Sequence, residues 1–292
     1  MRGLFLRGPI LDTPPRSTQR YRVVFATPYA ERAEFLIELD RRRHTEDQIA
    51  ASLLTGALYE QCTSWVMAGL LRPGDFAVDI GAHVGYYTLL MRTLVGAEGL
   101  VCAAEPLPES HAALLANVAL NGHVNVECMD RPLADRSGRA RLLPDPRNEG
   151  ESRLAADAEG SAGLEVDTTT LDHWLLARQR APRLVKIDAE GCELRILDGG
   201  SRLFRELAPD AVICEINPPA LRRFGASPRL LRERLASLGY VGYLINPALA
   251  GPFDLCDGAI LAPWPKDREV GVNVVHNLLY CRPGVVPVGL GI

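Results

Sequence analysis

The chain has 292 residues, 47% of them hydrophobic and 23% charged, with a formal net charge of −4. This is ordinary globular composition, long enough to bury a sizeable core, and the slight acidity gives no basic footprint for nucleic acid or for an anionic membrane surface. No run approaches the ~18 apolar residues that a membrane span needs, and Arg2, Arg7, Arg16 and Arg20 break up the N-terminus, so no signal peptide is expected. The seven cysteines form no CxxC pair and several lie in apolar runs. They are expected as reduced core residues of a cytoplasmic protein.

Residues 1–20, with Pro9, Pro14 and Pro15, predict a loose, strap-like leader. Alternation over 21–27 predicts a strand. Residues 45–71 predict a helix, opened by Thr45-Glu46-Asp47 and carrying Leu58, Cys62, Trp65, Val66 and Leu70 at helical spacing, that lies over the ligand edge of the main domain. From residue 73 strands and helices alternate. Strands are predicted over 75–80, 99–105, 124–129, 184–187, 211–216, 241–245 and 272–280, with 139–143 as a hairpin arm. Helices are predicted over 86–94, 109–120, 171–178 and 228–238, and one more runs from the end of the 184–187 strand through Leu197. Residues 144–163, rich in Pro, Gly, acids and Ser, predict a loop of lid or insert type. The alternation implies a Rossmann-like α/β fold, with a mostly parallel sheet, helices on both faces and an antiparallel hairpin at one edge formed by the last two strands. Residues 1–72 are assigned to an N-terminal leader and helical extension, and 73–292 to the α/β domain.

Three segments carry chemistry. The first is Val78-Asp79-Ile80-Gly81-Ala82-His83-Val84-Gly85, between a strand and a helix. Its glycines let the backbone turn sharply against a ligand, and Asp79 stands where a carboxylate can meet an amino group. The GxxxG spacing is not the GxGxxG of dinucleotide folds. The second is Glu105, at the end of the next strand, where Rossmann-like domains present an acid to ribose hydroxyls. The third is Lys186-Ile187-Asp188-Ala189-Glu190-Gly191, whose charged residues alternate so as to share one side of an extended segment. Asp188 falls at a strand's carboxyl end, where catalytic groups collect.

Together these segments resemble the FkbM family of methyltransferases, over about Pro73 to Ile216. The marks are Asp79 through Thr88, Glu105-Pro106, Asn117 and Asn121, Thr170-Leu171-Asp172, and Lys186 through Leu194. His83 stands where the family usually has Asn, and Cys192 where a small Ala is common. The resemblance implies a class I methyltransferase fold with a seven-stranded sheet. It implies S-adenosylmethionine as cofactor and O-methylation of a hydroxyl on a natural product or sugar. It also implies that Asp79, Gly81 and Gly85 line the methionine end and that Glu105 holds the ribose. The segment 129–135 would pass the adenine, with Asp130 accepting from its amino group. Ala82, His83, Pro106 and Asp188 are counted with the cofactor wall.

Methyl transfer to a hydroxyl profits from a general base within hydrogen-bond reach. Asp188 is the first candidate and Glu190 the second, with Lys186 tuning a neighbour or binding the acceptor oxygen. An alternative places Mg²⁺ on Asp188, Glu215 and Asn217, which resemble the acid, acid and Asn ligands of magnesium-dependent catechol-type O-methyltransferases. Against it, Glu215 and Asn217 would contact the substrate or cap the loop at Pro218-Pro219. Weaker candidates are His173, Tyr86, Tyr87 and the loop residues Asn148, Glu149 and Ser152. The expected partner is a small hydroxylated acceptor, with no nucleic acid and no membrane. Oligomeric state is left open, the N-terminal segment being able to exchange between protomers. Two rival readings remain at this point: a nicotinamide-dependent oxidoreductase that uses the same glycine turn and Glu105, and a non-catalytic nucleotide-binding scaffold.

Overall fold

The computed structural model describes residues 17–156, 163–246, 260–264 and 275–288. An antiparallel hairpin comes first, β1 (Thr18–Thr27) and β2 (Ala30–Asp40), followed by α1 (His44–Leu54) and α2 (Gln61–Leu70). The single helix expected over 45–71 is therefore broken. Gly56 takes a φ of +80° and Glu60 one of +40°, left-handed conformations that end one helix and redirect the chain into the next. Strands and helices then alternate through β3 (Phe76–Ile80), α3 (Tyr86–Val95), β4 (Leu100–Ala104), α4 (Pro108–Leu120) and β5 (Val126–Met129). A small antiparallel sheet interrupts them, made of β6 (Gly138–Leu143), β7 (Arg153–Leu154) and β8 (Leu164–Thr168). The series resumes with α5 (Leu171–Leu175), β9 (Leu184–Ile187), α6 (Glu193–Gly199), β10 (Ala211–Ile216), α7 (Pro218–Arg223), α8 (Pro228–Ser237) and β11 (Val241–Ile245). Strands β12 (Leu261–Pro263) and β13 (His276–Cys281) complete it.

The main sheet runs β12-β11-β13-β10-β9-β3-β4-β5. Neighbours from β10 to β5 are parallel, while β13 is antiparallel to both β10 and β11. This is the expected parallel sheet with its antiparallel pair. An eighth strand, β12, sits beyond β11, a three-residue pairing too short to show as a periodic run. Strands β3 and β9 are buried at every position, as strands covered on both faces must be. Chain order reverses between β3 and β9, so the crevice at their carboxyl ends is the switch point at which such sheets hold ligands.

Side-chain alternation divides the core in two. Ala77, Leu184, Ile213 and Leu279 pack on one face with α2, α3 and the inner side of the hairpin. Val78, Val185, Cys214 and Leu278 pack on the other with α5, α6 and α8. Carrying the period of two toward the strand ends puts Asp79, Lys186, Glu215 and Asn277 on the first face. Asp79 is paired with Lys186, and Glu215 with Asn277. A row of polar groups thus crosses the sheet beneath α3.

The hairpin is tied to this layer by two asparagines of α4. Asn121 Oδ1 accepts from Leu36 N at 2.7 Å and its Nδ2 donates to Leu36 O at 2.7 Å. Asn117 does the same for Glu38, at 2.7 and 3.2 Å, and its amide also donates to Val84 O at 2.9 Å. The side chains act as a third strand for β2. Asn117→Ala removes all three bonds at a buried site, and we expect a loss of about 2–3 kcal/mol. A urea melt should show it as a lower midpoint with an unchanged slope. Faster amide exchange at Leu36 and Glu38 should accompany it.

Cys62 is disulfide-bonded, whereas Cys102, Cys128, Cys192, Cys214 and Cys281 are free thiols. This corrects the expectation of seven reduced cysteines, because sequence spacing does not register a bridge that only tertiary folding can close. Among the described residues no helix is long and apolar enough to cross a membrane.

Candidate functional site

The crook after β3 is built by hydrogen bonds to the neighbouring strand. Gly81 and Ala82 N–H donate to Ala104 O at 2.9 and 3.0 Å, and Asp188 N–H donates to Ile80 O at 3.0 Å. The turn after β9 is therefore laid against the turn after β3. Gly81 has a φ of +77°, and a Cβ there would stand 1.8 Å from Asp188 O. Glycine is required on both counts. The main chain then turns through His83, at φ +50°, into Gly85, which caps α3.

Glu105 closes the other side of the crook. Its Oε2 accepts from His83 N–H at 2.8 Å and its Oε1 from Leu107 N–H at 2.8 Å. Two backbone donors thus fix the carboxylate plane, and the residue is only 7% exposed. Burial pushes its pKa up to about 7, against the pull of those two donors.

Asp79 lies deeper. It is 0% exposed, accepts from Thr88 Oγ1 at 2.6 Å through Oδ2, and leaves Oδ1 buried without a hydrogen-bond partner. Burial raises its pKa, while the Lys186 ammonium and Thr88 oppose the rise. The carboxylate does not reach the cavity wall. The Thr88 bond ties the end of β3 to α3.

At the end of β9, the Lys186 ammonium donates to Asp188 Oδ2 at 2.8 Å and lies 4.8 Å from the centroid of the Tyr87 ring. Burial disfavours its charge, but the carboxylates of Asp188, Asp79 and Glu60 outweigh burial and hold the ammonium charged. Glu193, itself 0% exposed, accepts from Ala189 and Gly191 N–H at 3.1 and 3.0 Å and so shapes the turn that carries Asp188 and Glu190. Tyr87 Oη donates to Glu60 Oε2, and Asn277 Nδ2 donates to the same oxygen at 2.7 Å. Glu190 Oε2 accepts from Asn217 Nδ2 at 3.2 Å. Burial, and then the negative charge of Asp188, raise the pKa of Glu190 and Glu215 above the carboxylate range.

The crook, Glu105 and the turn after β9 border one cavity of about 400 Å³. Gly81, Ala82, His83, Glu105 and Pro106 line its sheet side, and Lys186, Asp188, Glu190 and Glu215 its far end. Helix α1 closes the top through Thr45, Gln48 and Ile49. Asn148 joins that cover, its Oδ1 accepting from Thr45 Oγ1 at 3.0 Å, and Ser152 lines the wall nearby. The first helix of the expected extension therefore packs over this cavity.

The structure moves several expected residues. Gly85 packs on Leu114, where a Cβ would stand 2.7 Å from Leu114 Cδ1, and does not line the cavity. Asp130 is exposed outside it, and Arg131 and Pro132 line the wall instead, because the chain turns outward immediately after β5. His173 is exposed beside the Thr170 cap of α5. Asn217 Oδ1 accepts from Ala220 N–H as the cap of α7. Asn217 also lines the cavity, and beside it Asp188, Glu190 and Glu215 each bring an oxygen within 4.8 Å of the other two. Glu149's side chain lies outside the described part of the structure. Glu60 and Tyr59, at the break between α1 and α2, line the cavity without having been expected. Gly56 was the signal for that break.

A doubly wound sheet, with a GxxxG crook and an acid-tipped second strand at its switch point, defines a Rossmann-like class I methyltransferase fold. The family model described as the methyltransferase FkbM domain matches residues 79–241, and the chain belongs to the FkbM methyltransferase family. This sets aside the nicotinamide reading. Methyltransferase sdnD of Sordaria araneosa is 25% identical over 183 residues, covering 52% of this chain and 70% of that protein. Among solved structures, methyltransferase FkbM from Methylobacillus flagellatus KT has a TM-score of 0.43 at 16% identity, covering 81% of this chain and 53% of that one. M. jannaschii TYW2 in complex with AdoMet has a TM-score of 0.42 at 13% identity, covering 93% and 88%.

Proposed function

We propose that this chain methylates a hydroxyl of a small polar molecule, a natural product or a sugar, with S-adenosylmethionine as donor. The observation that carries the proposal is Glu105. Its two carboxylate oxygens are held by backbone N–H groups, in the same cavity as the Lys186–Asp188 pair. A carboxylate fixed in this way has lone pairs left for two vicinal hydroxyls. The crook at Gly81, which has no room for a Cβ, lets main chain form the wall beside it. The residues present therefore fit a nucleoside with a flexible amino-acid end.

Bound there, S-adenosylmethionine supplies an electrophilic methyl group on a sulfonium, so that a C–O bond forms as a C–S bond breaks. The chain's own residues orient the acceptor and take its proton. Asp188 lines the cavity with its side chain 29% exposed, and Lys186 holds one of its oxygens. We assign it as the base that accepts the hydroxyl proton. Lys186 sets its rotamer and balances its charge, a duty for which the buried, tightly held ammonium is suited. Helix α1 and the segment around Asn148 cover the cavity and keep water from the reacting centre.

Asp188→Asn keeps the shape and the Lys186 contact but removes the base. We expect S-adenosylhomocysteine to bind nearly as tightly by calorimetry. Transfer of labelled methyl to a panel of hydroxylated acceptors should fall by about 10²–10⁴-fold. Undiminished transfer would reject Asp188 as the base. Complete absence of transfer by the parent protein to any hydroxylated acceptor, with the cofactor bound, would favour the scaffold reading.

A further inference from the structure

The far end of the cavity carries more negative charge than proton transfer uses. Asp188 and Glu190 follow β9, Glu215 ends β10, and each brings an oxygen within 4.8 Å of the other two. Glu60 stands on the same wall. Lys186 gives its ammonium to Asp188 Oδ2, one of the two oxygens of a carboxylate that lines the cavity.

Glu215 is the telling residue. It lines the cavity, yet its Oε2 is fully buried and has no hydrogen-bond partner. A buried carboxylate oxygen left unpaired is costly, and such groups in native proteins pair with a donor or with a metal. The neighbour that could have donated, Asn217, is turned the other way. Its Oδ1 is committed to the cap of α7, which fixes its amide nitrogen on Glu190 Oε2. Glu190 is held in place by that bond, at a backbone φ of +50°. Metal ligands are commonly oriented by such outer hydrogen bonds.

We propose that Asp188, Glu190 and Glu215 bind a divalent cation of the hard, oxygen-preferring class, Mg²⁺ or Mn²⁺. Carboxylate oxygens without nitrogen or sulfur select these ions. Oxygens on one such ion stand about 3 Å apart when adjacent and about 4.2 Å apart when opposite, so the cluster closes by up to roughly 2 Å on binding. Lys186 and Asn217 hold Asp188 and Glu190 after β9, and Glu215, at the end of the adjacent parallel β10, is restrained by no such bond among the described residues and makes the closing movement. The consequence for catalysis rests on the methyl-transfer reading: with the ion bound, Asp188 serves as its ligand instead of as the base, and a hydroxyl on the ion loses its proton more readily to water. Cation binding itself does not depend on that reading.

The test uses the full chain stripped with EDTA and titrated with MnCl₂, followed by calorimetry and by Mn²⁺ electron paramagnetic resonance. One saturable Mn²⁺ per chain is expected, displaced by MgCl₂ and accompanied by a rise in Tm. Glu215→Gln should weaken it by roughly tenfold or more and abolish the Mn²⁺-induced rise in Tm, while the exposed Glu206→Gln should change neither. Should Glu215→Gln fail to fold, Glu190→Gln serves in its place. Unsaturable binding, or equal Mn²⁺ affinity in the parent and in the folded variant, overturns the proposal. S-adenosylhomocysteine is titrated into the same samples. If it binds where Mn²⁺ does not, the metal site is refuted and the methyl-transfer reading stands; if Mn²⁺ binds where it does not, the reverse holds.

Discussion

Gly81→Ala is expected to abolish S-adenosylhomocysteine binding and to destabilise the fold by roughly 3 kcal/mol or more, the combined effect of left-handed backbone strain and overpacking. The added methyl carbon would stand 1.8 Å from Asp188 O, a main-chain atom held by the Asp188-to-Ile80 hydrogen bond. No rotamer change relieves it, so β3 and β9 must part at the point where both carry site residues. Gly74 provides the control. Its φ is +88°, but nothing lies within 4 Å of its added Cβ, so Gly74→Ala should cost only the strain of about 1–2 kcal/mol and spare binding. Equal urea midpoints for the two variants would show that the close approach of the two turns does not exist.

Glu105→Ala should weaken S-adenosylhomocysteine binding by about 100-fold or more, since charge-assisted hydrogen bonds of about 1.5–3 kcal/mol each are lost. It also strands His83 and Leu107 N–H, which the carboxylate now serves. Glu105→Gln should do little better. Both oxygens accept from N–H groups, and an amide would aim its own NH₂ at one of those donors. The same residue sets a pH dependence. Its carboxyl titrates at about 7 in the ligand-free protein, chiefly through burial. In the proposed role the ionised form accepts the ribose hydroxyls, so affinity should rise by up to tenfold per pH unit toward 7 and then level off. Fold stability runs the other way. A carboxyl with a raised folded-state pKa holds its proton more tightly when folded, so its contribution is present below about 4.5 and lost between there and about 7. Calorimetry at several pH values on the parent protein and on Glu105→Gln would show both slopes in the first and neither in the second.

Features set by local periodicity were legible in the sequence. The continuous apolar runs of β3, β4, β9 and β10, the glycine crook and the strand-end acids Glu105 and Asp188 each leave a signal within a few residues. Groups that depend on distant partners left none. Strands β2 and β12 were not expected from their own residues and are held by pairing with β1 and β11, and the disulfide at Cys62 is closed by folding. Glu60 reaches the cavity only because a helix breaks at Gly56, and its role is visible only once Tyr87 and Asn277 meet it. Asp79 and Gly85 lie in the most recognisable motif, yet neither lines the cavity: one ties β3 to Thr88, and the other makes room for Leu114. A motif marks the turn without showing which of its residues face the ligand. Asn117 and Asn121 illustrate the converse. Marks of the family resemblance with no evident chemistry, they prove to be the clamp for β2.

The most direct test is a crystal structure of the protein with S-adenosylhomocysteine. Both ribose hydroxyls should lie within hydrogen-bond distance of Glu105, with the homocysteine chain running along Gly81 and Ala82 and the sulfur open toward Asp188. A ligand bound with its ribose away from Glu105, or no density in that cavity at saturating concentration, would contradict the assignment.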